Sequence, residues 1–246
     1  MVGLVGLGGG GSHIVQQLSH LGFHSFVLCD DDIITETNLN RLVGGSSADV
    51  RAKRLKTVIA TRNIRKLHKN ANITGPGLKW ESMIESLLGC DLIFGCLDTF
   101  SARRDLEAFC RRNLVPYLDV GMDVHESSKG RFEIDGQVIL SMPGYPCLHC
   151  MGFLNEKVLA QEAAKYGAAG DKPQVVWTNG VLCSAAVGVA VDLLTDWSGI
   201  LRQPVYLAFK GSDLSLAPDN RLPALRGMTC RHYPVAKAGD AVLKRL

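Results

Sequence analysis

Three groups of residues in this chain have the types and spacing to do chemistry. The first is the glycine run Gly6 to Gly11, set between the apolar stretch Val2–Val5 and a helical pattern opening at Ser12. Gly6, Gly8, Gly9 and Gly11 give G-x-G-G-x-G, a variant of the dinucleotide fingerprint. Glycines there let the chain turn tightly and bring backbone N–H groups against phosphate at a helix N-terminus. The second group runs from Cys29-Asp-Asp-Asp32 to Asn38-Leu-Asn-Arg41. Asp30 falls about 20 residues past the loop, where an acidic side chain meets a ribose hydroxyl. The same acids also read as a solvated charge cluster at a strand end. The third is Cys147-x-x-Cys150 with Cys230-Arg-His232. Thiolates plus an imidazole suit zinc, and a Cys₃His set forms if the tail folds back. His149 is a weaker ligand candidate, and a redox C-x-x-C is the other reading, although no thioredoxin-like context surrounds it.

The elements that must position these groups alternate through the first half. Strand-like runs are Val2–Val5, Ser25–Leu28, a short one near Ile73, Asp91–Gly95 and Pro116–Val120. Between them lie helical patterns at Ser12–Leu21, with Ser12 as the N-cap, at about Ala48–Leu67, at Trp80–Leu88 and at Ala102–Asn113. Such alternation predicts an α/β, Rossmann-like, doubly wound and mostly parallel sheet with helices on both faces. From Lys129 the texture changes. Arg131–Leu140 reads as two antiparallel strands around the Asp135-Gly136 turn. Met151 to Thr178, including Gly167-Ala-Ala-Gly170, reads as a partly helical, mobile crossing segment. A long small-residue helix is expected over Asn179–Trp197, a strand over Pro204–Phe209, and a loop-rich tail up to Cys230.

Bulk properties narrow the classes. The chain has 246 residues, 46% hydrophobic and 21% charged, which allows a substantial core. A net charge of +3 without a long basic run argues against nucleic acid and membrane surfaces as partners. No run of roughly 18 uncharged apolar residues suggests a membrane span. The chain opens on its first strand, so no leader is expected and the protein is read as cytoplasmic. Cys29, Cys90, Cys96 and Cys110 sit singly near apolar runs and read as small buried hydrophobes.

The ordered set carries a resemblance. Asp30-x-Asp32-x5-Asn38-Leu39-Asn40-Arg41 looks like the signature of the ubiquitin-activating-enzyme-like adenylyltransferases, which include ThiF-, MoeB- and HesA-type activators and a peptide-antibiotic branch. Glycine loop, D-x-D and N-L-x-R occur in the family's order. They are followed by a lysine-bearing helix (Lys53 or Lys56), by Asp98 beyond Leu92–Leu97, by Val115-Pro-Tyr-Leu-Asp-Val-Gly121, and by Cys147-x-x-Cys150. The resemblance covers most of residues 1–235. It implies a single adenylation domain over 1–246, with a nucleotide-binding half at 1–128 and an acceptor-binding and zinc half, with a C-terminal zinc-bound loop region, at 129–246. It also implies ATP, Mg²⁺ and Zn²⁺ as ligands, a homodimer, and a small ubiquitin-like or sulfur-carrier protein (or peptide) as acceptor.

Physical chemistry fits that implication. A carboxylate attacks the α-phosphate of ATP and pyrophosphate leaves, so catalysis is mainly positioning and charge neutralisation. Arg41 and Lys56, with Lys53 as second choice, would supply cations to the leaving group. Asp98 would hold Mg²⁺, a hard ion suited to carboxylate oxygen. The resemblance places Asp30 and Asp32 near the ribose and loop, and Asn38 and Arg41 on phosphates. Against these stand plainer readings: Asp98 as a helix cap, and a helical lysine as a solvated face. Relatives often pass the acyl group to a cysteine in the crossing segment. Met151–Leu182 has none, and Cys183 reads as buried rather than reactive. Family members also begin with a helix whose arginine reaches the partner's ATP, ahead of where this chain starts. The rival readings are an NAD-dependent oxidoreductase using the same glycine loop, and a non-catalytic nucleotide-binding subunit of a heteromeric activating enzyme.

Overall fold

The computed structural model describes residues 1–126, 130–164, 174–199 and 205–234. Its backbone is an eight-stranded sheet in the order β3-β2-β1-β4-β5-β6-β7-β8. The parallel half comprises β1 (Val2–Val5), β2 (Ser25–Cys29), β3 (Asn72–Thr74), β4 (Leu92–Gly95) and the first part of β5 (Tyr117–Glu126). β6 (Phe132–Ser141), β7 (Val205–Lys210) and β8 (Ser215–Pro218) continue it antiparallel. Chain order reverses between β1 and β4, which flank one another although β2 and β3 lie between them in sequence. That makes a switch point, where such sheets bind ligands beyond the strand ends.

Both faces of the sheet are covered, as the sequence pattern predicts. Alternate residues point to opposite sides. Val2 and Leu4 meet α1 (Gly9–His20), α3 (Lys56–Leu67) and α7 (Val176–Thr195) in one apolar cluster that includes Ile14, Leu18, Ile64 and Ala186. Val5 and Ile93 face the other cluster, with Leu87 of α4 (Ile84–Leu87), Leu106 and Cys110 of α5 (Phe100–Arg112), and Leu148 and Met151 beyond β6. α7 has the length and mean hydropathy (1.5) of a membrane span, but half of it is buried, against α1 and strands β5 and β6. It is the packed helix expected from its small residues, starting at Val176 instead of Asn179.

Several expected boundaries move. α1 begins at Gly9, and Ser12 is not its cap; the Ser12 hydroxyl donates to the Gly9 carbonyl inside the first turn. The expected helix over Ala48–Leu67 splits into α2 (Ser47–Arg51) and α3, with Lys53 at φ +49° between them. Long-range pairing breaks it: Ile34 N donates to Arg54 O, Lys56 N donates to Asp32 O, and Ile33 bridges Leu55. Trp80–Leu88 is a 3-10 turn (Trp80–Ser82) followed by the short α4.

The expected hairpin at Asp135-Gly136 is wrong. Arg131–Leu140 contributes one continuous strand, β6, which pairs with β5 on one side and β7 on the other. Gly136 serves close packing instead of a turn: a Cβ there would lie 2.4 Å from Leu182 Cδ1 and 2.9 Å from the Gly121 carbonyl. β5 pairs with β6 antiparallel as far as Glu126 opposite Phe132, so β5 runs six residues beyond the expected Val120. β8 lies in the tail read as loop, and α6 (Glu156–Ala164) supplies the helical part of the crossing segment. Gly167–Gly170 lies outside the described residues.

Candidate functional site

At the switch point, the glycine run leaves β1 and enters α1 under severe steric limits. Gly6 has φ +87°, and a Cβ there would come within 2.3 Å of the Cys96 carbonyl oxygen. A Cβ at Gly11 would lie 1.9 Å from the Gly6 carbonyl, and one at Gly9 would lie 2.5 Å from Asn179 Nδ2. Only glycine lets the loop close onto β4 and α7 in this way. The first turn of α1 carries no acidic residue and no side-chain cap, so its free N–H groups and dipole remain available to an anion.

A cavity of about 480 Å³ opens over this loop. Gly6, Gly8, Gly9, Asp30, Asp32, Asn38, Arg41, Lys56 and Asp98 all line it. Gly11 does not; it supports the loop from behind. Lys53 is exposed and also stands outside the lining, so the structure selects Lys56 of the two lysines. Strand β2 delivers Asp30 at its end, nearly buried, with Oδ2 accepting from Leu7 N at 2.6 Å and Oδ1 from Asp32 N at 2.9 Å. Burial pushes its carboxyl above the ordinary value, opposed by Lys56 and these two N–H groups. Lys56 Nζ lies 2.6 Å from Asp32 Oδ2 and 3.9 Å from Asp30 Oδ2. A buried lysine held by two carboxylates at the α3 N-terminus is not a solvated helix face.

Asn38 ends a short 3-10 turn, Glu36–Asn38, and Arg41 follows three residues on. Asn38 caps it, its Oδ1 accepting from Thr35 N at 3.0 Å. The Arg41 guanidinium donates to Thr37 O at 2.5 Å and Asn40 Oδ1 at 3.0 Å, both through one terminal nitrogen, and the residue lines the cavity. Asp98 follows β4, is exposed, and accepts from Gln174 Nε2 at 3.4 Å. The α5 cap is Thr99, whose Oγ1 accepts from Ala102 N, so Asp98 is not consumed as a helix cap. An exposed carboxylate on the wall of the cavity is a hard oxygen ligand of the kind a divalent cation takes.

Sequence reading missed the far wall. Arg103 donates to Asp119 Oδ2 at 2.5 Å and to the Leu97 carbonyl, and Asp119 also accepts from Tyr117 (2.8 Å) and Gln137 (3.1 Å). Gly121 makes room for this pair, since a Cβ there would meet the Arg103 guanidinium at 2.4 Å. Trp80, Phe100 and Phe153 add aromatic surface. Asp119 and Gly121 stood in the sequence signature without a role; Arg103 carried only the signal of a basic residue one turn into α5. Cys183 is fully buried and donates to Gly10 O at 3.2 Å; burial pushes its thiol well up, as expected for an unreactive cysteine. Cys29, Cys90 and Cys110 are buried, while Cys96 is partly exposed on the cavity wall.

A second cluster lies under the β6–α6 connection. Ligand atoms of Cys147, Cys150, Cys230 and His232 lie within 4.8 Å of one another. Cys147 Sγ to Cys150 Sγ is 3.6 Å, Cys150 Sγ to Cys230 Sγ is 3.7 Å, and His232 Nδ1 lies 3.5 and 3.4 Å from Cys147 and Cys150. A tetrahedron with Zn–S bonds near ~2.3 Å has edges of about 3.8 Å, so the four atoms fit a Cys₃His site. His149 is not in the set; its ring stacks on that of His232 at 4.9 Å. Arg111 binds the loop through Met142 O and Tyr145 O, and Glu107 accepts from Leu148 N at 2.8 Å and Ser141 Oγ at 2.6 Å.

Comparison with known proteins bears on the family and the fold. The model of the ThiF family matches residues 1–219. The chain is similar to a tRNA threonylcarbamoyladenosine dehydratase of Haemophilus influenzae, 27% identical over 48% of this chain and 46% of that protein. It is similar to a SAMP-activating enzyme E1 of Haloferax volcanii, 26% identical over 60% and 52%. Among solved structures it superposes on E. coli MccB crystallised with ATP, with a TM-score of 0.71, 20% identity, and coverage of 89% of this chain and 63% of that one. The chain thus spans about half the length of these curated relatives. The structural likeness bears on the fold: a Rossmann-like α/β sheet with an antiparallel extension.

Proposed function

The chain belongs to the ThiF family, and on that premise we propose that it is an ATP-dependent adenylyltransferase. It activates the C-terminal carboxylate of a small ubiquitin-like or sulfur-carrier protein, or of a peptide, as an acyl-adenylate and releases pyrophosphate. The observation that carries this reading is convergence: Asp30, Asn38, Arg41, Lys56 and Asp98, from three separate connections, line one cavity with the glycine loop from a fourth. Relatives named as adenylyltransferases and activating enzymes support the class. A dinucleotide dehydrogenase would need the glycine loop and Asp30 but has no use for the converging cations.

In this reading the loop N–H groups and the α1 N-terminus receive phosphate, and Asp30 receives the ribose. Arg41 offers unpaired N–H groups to the leaving pyrophosphate, and Lys56 adds positive charge from beneath, fixed by Asp32. Asp98 would hold Mg²⁺, which offsets phosphate charge when bound. Residues 1–128 form the nucleotide-binding half, and residues 129–246 the acceptor-binding and zinc half of one domain. Cys147, Cys150, Cys230 and His232 hold a structural Zn²⁺ that ties the tail to the β6–α6 connection. The protein works as a cytoplasmic homodimer. No thioester forms at Cys183, which is buried.

Mass spectrometry of an acceptor incubated with the protein, ATP and Mg²⁺ tests the reading. An acceptor carrying one adenylate, with ATP–pyrophosphate exchange dependent on its carboxylate, is the expected result. Quenching by a reduced nicotinamide without any ATP effect would overturn it. The similarity to a tRNA-modifying protein makes tRNA the control acceptor.

A further inference from the structure

Of the helix N-termini that reach the cavity, those of α1 and α5 are finished differently. That of α1 is open. That of α5, directly behind Asp98, is filled from within the chain: Glu162 of α6 accepts from Phe100 N through Oε1 at 2.7 Å and from Ser101 N through Oε2 at 2.9 Å. Thr99 takes the next two N–H groups, Ala102 N on its Oγ1 and Arg103 N on its carbonyl, each at 3.2 Å. No donor in that first turn is left for a phosphate.

The turn carrying Asp98 is therefore held on both flanks. On its N-terminal side, Leu97 O accepts from the Arg103 guanidinium, which is anchored in turn on Asp119. On its C-terminal side, Glu162 pins the first two amides of α5. We propose that Glu162 is a positioning residue of the catalytic site: it clamps the α5 N-terminus, with Arg103 as the opposing clamp, so that the Asp98 carboxylate is presented to the metal–nucleotide complex. It also leaves the α1 N-terminus as the open anion seat of the pair. The same contact makes seating of the α6 segment a condition for an ordered Asp98. The proposal rests on the adenylation reading for its catalytic consequence, but the clamp itself has a readout that needs no turnover.

The experiment uses the full chain with Glu162→Ala and Glu162→Gln. Amide hydrogen exchange reads the clamp, water-proton relaxation with Mn²⁺ and ATP reads metal capture, and ATP–pyrophosphate exchange reads the reaction. A lost pair of charge-assisted hydrogen bonds predicts about tenfold or faster exchange at residues 100–101 in Glu162→Ala, with α1 and β4 protection unchanged. Half-saturation by Mn²⁺ rises about fivefold or more, and kcat falls by a similar factor with KM for ATP nearly constant. Glu162→Gln, which keeps one acceptor oxygen, falls between Ala and the parent. Unchanged protection in Glu162→Ala overturns the clamp, and lost protection with unchanged Mn²⁺ half-saturation overturns its positioning role. If the protection and Mn²⁺ shifts appear but the parent chain exchanges no pyrophosphate with any acceptor, the clamp stands and the adenylation reading falls.

Discussion

The cavity over the glycine loop and the cysteine cluster behind β6 are both built from polar side chains drawn from distant parts of the sequence, yet they are finished in opposite ways. In the cavity, groups keep unused bonding capacity: among the described residues Asp98 accepts from one amide at 3.4 Å, and Arg41 hydrogen-bonds to Thr37 and Asn40 of its own turn. In the cluster, four ligand atoms lie within 4.8 Å of one another, several pairs at 3.4–3.7 Å, and Arg111 and Glu107 bind the loop around them. A site that binds and releases reactants needs unsatisfied donors and acceptors facing an opening, whereas a structural centre is stable because it is saturated.

The sharpest break in that contrast is Asp98→Ala. Removing the carboxylate is expected to lower ATP–pyrophosphate exchange about a thousandfold, with a thermal midpoint indistinguishable from the parent by calorimetry, because the side chain is exposed and bears no packing. Next in size, Cys147→Ser is expected to reduce zinc from about one per chain to near none by metal analysis, and to lower unfolding free energy by at least about 3 kcal/mol. A cluster mutant that stayed fully stable would remove the distinction between the two sites.

Lys56 tests the boundary between the two designs, since it is buried on Asp30 and Asp32 yet lines the cavity. Lys56→Ala is expected to lower both exchange activity, by about a hundredfold, and stability, by about 2 kcal/mol, because Asp30 is left buried without its cation. Lys53→Ala, at an exposed position outside the cavity, is expected to change neither in the same assays. The smallest effect belongs to Asp49, away from both sites. Hydrogen bonds from Arg62 at 2.7 and 2.9 Å hold its carboxyl well below the ordinary value. A depressed carboxylate stabilises the fold above its unfolded pKa near ~4, and that contribution is lost as pH falls through the lower folded value. Asp49→Asn should therefore flatten the acid limb of a urea-denaturation series by about 1 kcal/mol, discounted because Arg62 is partly exposed, while leaving the neutral-pH activity intact.

The glycine loop, the D-x-D pair and the N-L-x-R turn were legible because each depends on local chemistry. Gly6 must be glycine for its own φ, and Asn38 caps its own turn. The aspartate beyond β4 was legible because it follows an apolar strand run. The choice between Lys53 and Lys56 was not, since it turns on the Asp32–Ile34 strip pairing with Arg54–Lys56 and breaking the helix between them. The cluster of Arg103, Asp119 and Gln137 was not legible either: the β5–β6 pairing sets Gln137 beside Asp119, and packing of α5 on β5 brings Arg103 to Asp119. Asp135-Gly136 misled for the complementary reason. A dipeptide that favours a turn in isolation lies in mid-strand when two neighbouring strands supply its hydrogen bonds and α7 needs its missing side chain.

Composition and order of motifs by themselves determined the α/β class, the position of the glycine loop after the first strand and the identity of the charged residues proposed to act beside it. Those properties follow from backbone conformation and side-chain chemistry over a few residues, which the sequence states directly. Only the tertiary structure decided which lysine reaches the cavity, that Cys230 and His232 return to Cys147 and Cys150, and that Glu162 fills one helix end while the other stays open. Those are contacts between residues about 60 to 85 positions apart or between rival neighbours a turn apart, and they are set by how strands pair and helices pack.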